Sequence, residues 1–169
     1  SIGFVVGLAT ALIRVYGGKR LGWLATAYVE LFRGTPVLVQ LFVVYYGLPD
    51  IGITLSRMAA AYLTLGLNSG SYQSEYFRGV IEAVGAGQMM AARSVGMSRF
   101  TSVLHIILPQ AMRMVIPAWS NEPIVLLKAS AVTFLIAVPD LMGQAQILAI
   151  RTFDPVTSYL GVGALYLCI

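Results

Sequence analysis

Charge is what this sequence has least of. Aspartate, glutamate, lysine and arginine together make up 11% of its 169 residues, where a soluble domain has roughly 25%. With 58% hydrophobic residues and a mean hydropathy of +0.81, the chain lacks the polar surface to cover a water-facing globule. An all-α, polytopic membrane protein is the class that remains; a soluble helical protein with an oversized core is the alternative. There is one cysteine, Cys168, so neither an internal disulfide nor a cysteine metal cluster can form. The one histidine, His105, has no second histidine or cysteine with which to share a metal. No G-x-x-x-x-G-K-[ST] loop is present to cradle a nucleotide phosphate, and Gly85 and Gly87 in "VGAGQMM" lack the third glycine and the preceding strand of a dinucleotide fingerprint. No serine stands in a nucleophile elbow. Enzymatic chemistry and a resident cofactor or metal are therefore not expected on this chain. The net charge of +4 does not point to nucleic acid either, because the basic residues sit at the edges of apolar segments.

Long hydrophobic runs are also scarce. The longest charge-free stretches, 34–49 and 58–74, fall just short of the ~18 residues of a transmembrane helix, so flanking residues must complete each span. Five spans are expected, at about 1–16, 35–49, 58–80, 117–138 and 156–169. The chain opens at Ser1 and closes at Cys168-Ile169 inside apolar runs, so both ends are expected to be truncated. Residues 21–33, "LGWLATAYVELFR", form an amphipathic pattern suited to the membrane interface, with Trp23 and Tyr28 at headgroup depth. Pro36 suits the first turn of the next helix.

Lysines and arginines in the connections set orientation. With the first span running inward, one side receives Arg14, Lys19, Arg20, Arg33, Arg78, Arg93, Arg99 and Arg113, and the other only Arg57 and Arg151. The basic side is expected to be cytoplasmic, with the "LPDIGITLSR" and "GQAQILAIRTFDP" loops outside. Gly3 and Gly7, and Gly66 and Gly70, have the GxxxG spacing that lets helices approach closely.

One stretch interrupts the apolar pattern: "AARSVGMSRFTSVLHIILPQAMR", residues 91–113. Phe100, Val103, Leu104, Ile107 and Leu108 recur at helical spacing, with Arg99, Thr101, Ser102 and His105 on the other side. Upstream, "QMMAARSV" reads as a second short helix. Gly96 separates the two, Ser98 is placed to cap the second, and Pro109 to weaken or end it. Two short helices joined by a sharp turn on the cytoplasmic face are expected. They serve either as a surface connector or as a docking element for a cytoplasmic partner.

This stretch resembles the EAA loop of ATP-binding-cassette importer permeases, in which EAA is followed by three residues, Gly, nine residues and I-x-L-P. Ala91, Ala92, Gly96, Ile106, Leu108 and Pro109 match at that spacing. "ELFRGTPVLVQLFVVYYGLP", "NSGSYQSEYFRGVIEAVGAGQ" and "NEPIVLLKASAVTFLIAVPDL" are similar to permeases of polar amino acid uptake systems, of the histidine, glutamine and arginine type. The resemblance covers nearly all of the chain. It implies a single permease domain over 1–169 in a bacterial inner membrane, with a coupling loop at about 82–115 that includes Met90, Met97 and Ser98. It further implies an ATPase dimer that holds ATP and Mg, a second permease subunit, and an extracytoplasmic binding protein that delivers the amino acid. Met90 stands where the family has the EAA glutamate. Lys128-Ala129-Ser130-Ala131-Val132 replaces the usual K-D-T-S-L, leaving Lys128 without a near-sequence counter-ion.

A charge at mid-bilayer costs about 2.5–3.5 kcal/mol on insertion scales, so Glu75, Glu122 and Lys128 each need a reason. With Asn121 and Ser130 they are the candidates for lining a substrate path. The competing expectation is a structural ion pair, Glu75 or Glu122 with Lys128 or Arg78. An ion-gradient-driven secondary transporter and a non-transporting scaffold subunit are the rival functions; the absence of an internal repeat counts against the first.

Overall fold

The computed structural model describes residues 2–169, and among them every regular element is helical. The helices are α1 (Ile2–Tyr16), α2 (Lys19–Gly34), α3 (Val37–Phe42), α4 (Arg57–Ser94), α5 (Arg99–Ser102), α6 (Leu108–Ser120), α7 (Glu122–Ser130), α8 (Leu141–Thr152) and α9 (Pro155–Leu167). A π turn (Val43–Gly47) and a 3-10 turn (Leu48–Ile51) extend α3; a second π turn (Val103–Ile107) joins α5 to α6, and a 3-10 turn (Ala131–Ile136) extends α7. Packing divides the chain into two units: residues 1–34 with 67–122, and 35–66 with 123–169.

In the first unit, α1 lies against the middle of α4. Helices in lipid gain little from the hydrophobic effect, so close packing and interhelical hydrogen bonds must hold them. Gly3, Gly7 and Gly70 are the small residues that permit contact: a Cβ at Gly3 would stand 2.8 Å from the Ser69 hydroxyl, and one at Gly70 3.1 Å from a Val6 methyl. Around this seam Ala11, Phe77, Ile81, Ile107, Ala111 and Val115 form the apolar core. Phe4 meets both Phe77 and Trp119 edge-on, at 5.3 and 5.7 Å between ring centres. In the second unit, Leu41, Ala60, Ala61, Ile136 and Val138 form a smaller core.

Several expected boundaries move. The segment "QMMAARSV" is not a separate short helix; it is the last part of the 38-residue α4. Pro109 does not end the helix it follows, because the π turn before it absorbs the missing N–H. The Leu108 amide bonds back to the Val103 carbonyl, the Gln110 side chain takes the Ile106 carbonyl at 2.9 Å, and the helix continues to Ser120. The extra residue also rotates the buried face. Ser102 and Ile107, five apart, are buried together with Ala111 and Val115, whereas Phe100 and Leu104 of the expected stripe are exposed. Arg99–Ser120 consequently forms one helical stretch of 22 residues, long and apolar enough to cross a bilayer.

The expected span at 117–138 is broken at Asn121 and again at the 3-10 turn. Most of the "GQAQILAIRTFDP" loop is α8, whose N-cap is Asp140, accepting from the Gly143 amide at 2.7 Å. Glu122–Ile136 and α8 satisfy the length and composition of a span together, bent by 51°. Tyr28 has a partner within the chain. Its hydroxyl donates to the Leu67 carbonyl at 2.6 Å, which fastens α2 to α4, while Trp23 faces outward.

Candidate functional site

The turn between α4 and α5 is built by local rules. Gly96, at φ +83°, ends α4 in the left-handed conformation that glycine adopts without a Cβ penalty. Its amide bonds to the Arg93 carbonyl and the Met97 amide to the Ala92 carbonyl, both at 3.1 Å; this is a Schellman closure that satisfies the last carbonyls of the helix. Two residues later Ser98 caps α5, accepting from the Thr101 amide at 3.1 Å. The chain thus reverses within four residues, using backbone hydrogen bonds and one hydroxyl.

Ala92 is buried beneath the turn, and Met90, Val95 and Phe100 are exposed around it, Met90 and Phe100 at 76% each. Arg93 and Arg99 flank them, the latter with its guanidinium 5.3 Å from the centre of the Tyr16 ring. Exposed apolar side chains and two cations thus alternate along residues 90–100. Further along, Ile106 and Leu108 are half-buried and Pro109 exposed.

The candidates for a substrate path divide between the two units. Glu75, Asn121 and Glu122 belong to the first; Lys128 and Ser130 to the second. Glu75 is held by arginines. Arg14 donates to one of its oxygens, Arg78 to the other at 2.7 Å, and Arg33 stands 3.8 Å away. Arg78 also pairs with Glu82 at 2.8 Å. The ion pair expected for Glu75 with Arg78 is therefore present, enlarged by Arg14, which lies 61 residues away in sequence and carries no local signal of the partnership. Lys128 is exposed within the second unit. The Ser130 hydroxyl donates to the Leu127 carbonyl of its own helix at 2.7 Å.

Glu122 has a different setting. It is 6% exposed and opens α7, where a negative charge favours the helix dipole. Its oxygen accepts from the Ser69 hydroxyl at 2.6 Å. Ser69 in turn accepts from the Gln73 amide at 2.8 Å, and the Gln73 oxygen accepts from the Trp119 indole at 2.9 Å. Sequence reasoning singled out Glu122 and missed Ser69, Gln73 and Trp119. The one available signal was two polar residues four apart, Ser69 and Gln73, in an expected span. Among the described residues, no group of three or more histidine, cysteine, aspartate or glutamate side chains is placed to hold a metal ion.

Residues 3–169 match the family model described as the binding-protein-dependent transport system inner membrane component. YckA of Bacillus subtilis, described as a probable amino-acid ABC transporter permease, is 40% identical over 164 residues, covering 97% of this chain and 73% of that protein. The nopaline transport system permease NocM of Agrobacterium fabrum is 38% identical over 178 residues, covering 99% of this chain and 74% of its own. The crystal structure of an amino acid ABC transporter with histidines superposes with a TM-score of 0.89 at 38% identity, over 99% of this chain and 78% of that one.

Proposed function

The chain belongs to the family of binding-protein-dependent transport system inner membrane components, and from that premise we propose that it is the permease subunit of an ATP-driven importer of a polar amino acid. The observation that carries this is the likeness, over 99% of the chain, to a solved amino acid transporter. The subunit lies in the bacterial cytoplasmic membrane with α4's C-terminal end and the turn at 94–99 inside the cell. An ATPase dimer, which binds ATP and Mg, docks on Met90, Val95, Met97 and Phe100 and between Arg93 and Arg99. A second permease subunit completes the pathway, and an extracytoplasmic binding protein delivers the substrate.

Coupling requires the ATPase to bind the two states of the permease with different free energies. The Schellman turn and the Ser98 cap make the docking element stiff enough to pass that difference to α4 and α6. At the substrate end, Glu122 receives the ammonium group. The test is the purified transporter, with its ATPase and binding protein, in lipid vesicles supplied with labelled L-arginine, L-histidine or L-glutamine. Uptake of one of them that needs ATP inside, and hydrolysis stimulated by it, is the expected result. Uptake driven by an ion gradient without ATP would identify a secondary transporter; hydrolysis indifferent to all three would leave a scaffold.

A further inference from the structure

We infer that Gln73 is a positioning residue for substrate recognition, acting through Ser69 on Glu122. The direction of the hydrogen bonds follows from donor chemistry. An indole nitrogen can only donate, so the atom of Gln73 facing Trp119 at 2.9 Å must be its oxygen. The amide nitrogen is then turned to Ser69, at 2.8 Å. With one lone pair of Ser69 occupied by that donor, its single proton is free for the Glu122 oxygen at 2.6 Å.

Ser69 is exceptional on its own helix. Serines inside helices usually bond back to a carbonyl three or four residues earlier. Ser71 does so to Asn68 at 2.6 Å and Ser74 to Ser71 at 2.8 Å. Ser69 instead reaches across to the start of α7, and Gln73, one turn along α4 and 2% exposed, is the residue that turns it. Gly3 crowds the same group, since a Cβ there would stand 2.8 Å from both the Ser69 hydroxyl and the Gln73 amide. Both side chains are buried, Ser69 at 3% and Gln73 at 2% exposure, and burial restricts the rotation that would break the relay. It fixes the carboxylate of Glu122 in place while spending one of its oxygens, and leaves the rest of its accepting capacity for a substrate ammonium.

This rests on Glu122 meeting the substrate, as proposed above, and the two ideas fail differently. In the vesicle assay, with the amino acid that the unaltered transporter carries, Glu122→Gln is expected to raise KM about tenfold, the scale of one hydrogen bond to a charged group. Gln73→Leu and Ser69→Ala should raise KM similarly, with maximal rate altered less than KM. The Gln73→Leu/Glu122→Gln pair should be no worse than Glu122→Gln alone, because both changes remove the same interaction. Gln73→Glu is the companion variant should leucine fail to fold. It keeps an acceptor for Trp119 but draws the Ser69 proton to itself, and should raise KM as leucine does. If Glu122→Gln raises KM while Gln73→Leu and Gln73→Glu do not, Glu122 contacts the substrate and the relay is overturned. If Glu122→Gln leaves KM unchanged, the contact itself is wrong. Additive losses in the double variant would reduce Gln73 to a packing role.

Discussion

A methyl group at Gly7 would stand 2.8 Å from the Gln73 Cβ, 3.0 Å from the Gly70 carbonyl oxygen and 3.1 Å from the Ser74 amide nitrogen. Two of those atoms are α4 backbone and cannot swing aside, so α1 would have to move. Overpacking of this kind costs about 1–3 kcal/mol. We expect Gly7→Ala to lower the thermal midpoint of the detergent-purified protein by about 2–10 °C. Gly163→Ala, with open space around the added atom, should leave it unchanged. Identical midpoints would mean that α1 and α4 are not in contact here. The glycine spacing was legible because small residues four apart are a one-helix pattern. What the glycines face was not, since Gln73 sits 66 positions further along the chain. The same limit hid Arg14 from Glu75: a carboxylate in an apolar stretch announces that it needs a cation, but the sequence does not say which one.

At the scale of the element, local punctuation read well and tertiary compromise did not. Gly96 and Ser98 act within five residues of themselves, and the structure uses them as helix stop and helix start. Gly96→Ala should show this directly. Nothing lies within 4 Å of the added carbon, so its whole cost is the left-handed backbone, about 1–2 kcal/mol. We expect a modest loss of stability in thermal unfolding and a larger loss of ATP-driven uptake, because the reversal is redirected. A variant with full uptake would separate this turn from coupling. Pro109, by contrast, reads as a residue that weakens or ends a helix, and the helix continues past it. A proline inside a helix usually breaks it, but an inserted residue in a π turn relieves the steric and hydrogen-bonding conflict, and no local rule announces that insertion.

The cap of α9 gives a pH dependence with a definite sign. Hydrogen bonds from the Thr157 side chain and then its backbone amide hold the Asp154 carboxyl below its ordinary 3.8. The amide lies 3.1 Å from the carboxylate. A depressed folded-state value means the cap's contribution is fully present above the ordinary aspartate range and is lost as pH falls through the lowered value. Amide exchange at Thr157 and Ser158 should therefore be unaffected above about pH 5, then lose protection on further acidification, beyond the intrinsic change in exchange rate. Asp154→Asn, which can still cap, should remove that added dependence. Protection equally sensitive in the asparagine variant would mean that the carboxylate is not what titrates.

The whole molecule is constrained by the length of one helix. At 1.5 Å per residue, the 38 residues of α4 rise about 57 Å, and a bilayer's hydrocarbon core is about 30 Å thick. Roughly half of α4 must therefore stand outside the lipid. Charge decides which half: residues 58–74 contain no charged side chain, whereas Glu75, Arg78, Glu82 and Arg93 follow in the remainder. Tyr62 and Gln88 are both exposed on the folded chain, and the 26-residue separation between them rises about 39 Å, so they cannot both lie in lipid. Single cysteines at these positions, in a Cys168→Ser background, distinguish lipid from water because neither is buried within the folded chain. We expect a membrane-impermeant maleimide to label Gln88→Cys in inside-out vesicles and not in right-side-out ones, and to label Tyr62→Cys in neither. Labelling of Gln88→Cys from outside would invert the orientation and remove the turn at 94–99 from any cytoplasmic motor. Labelling of Tyr62→Cys from either side would place the apolar half of α4 on a water-filled path, and the length argument would have to yield to a helix that lines it.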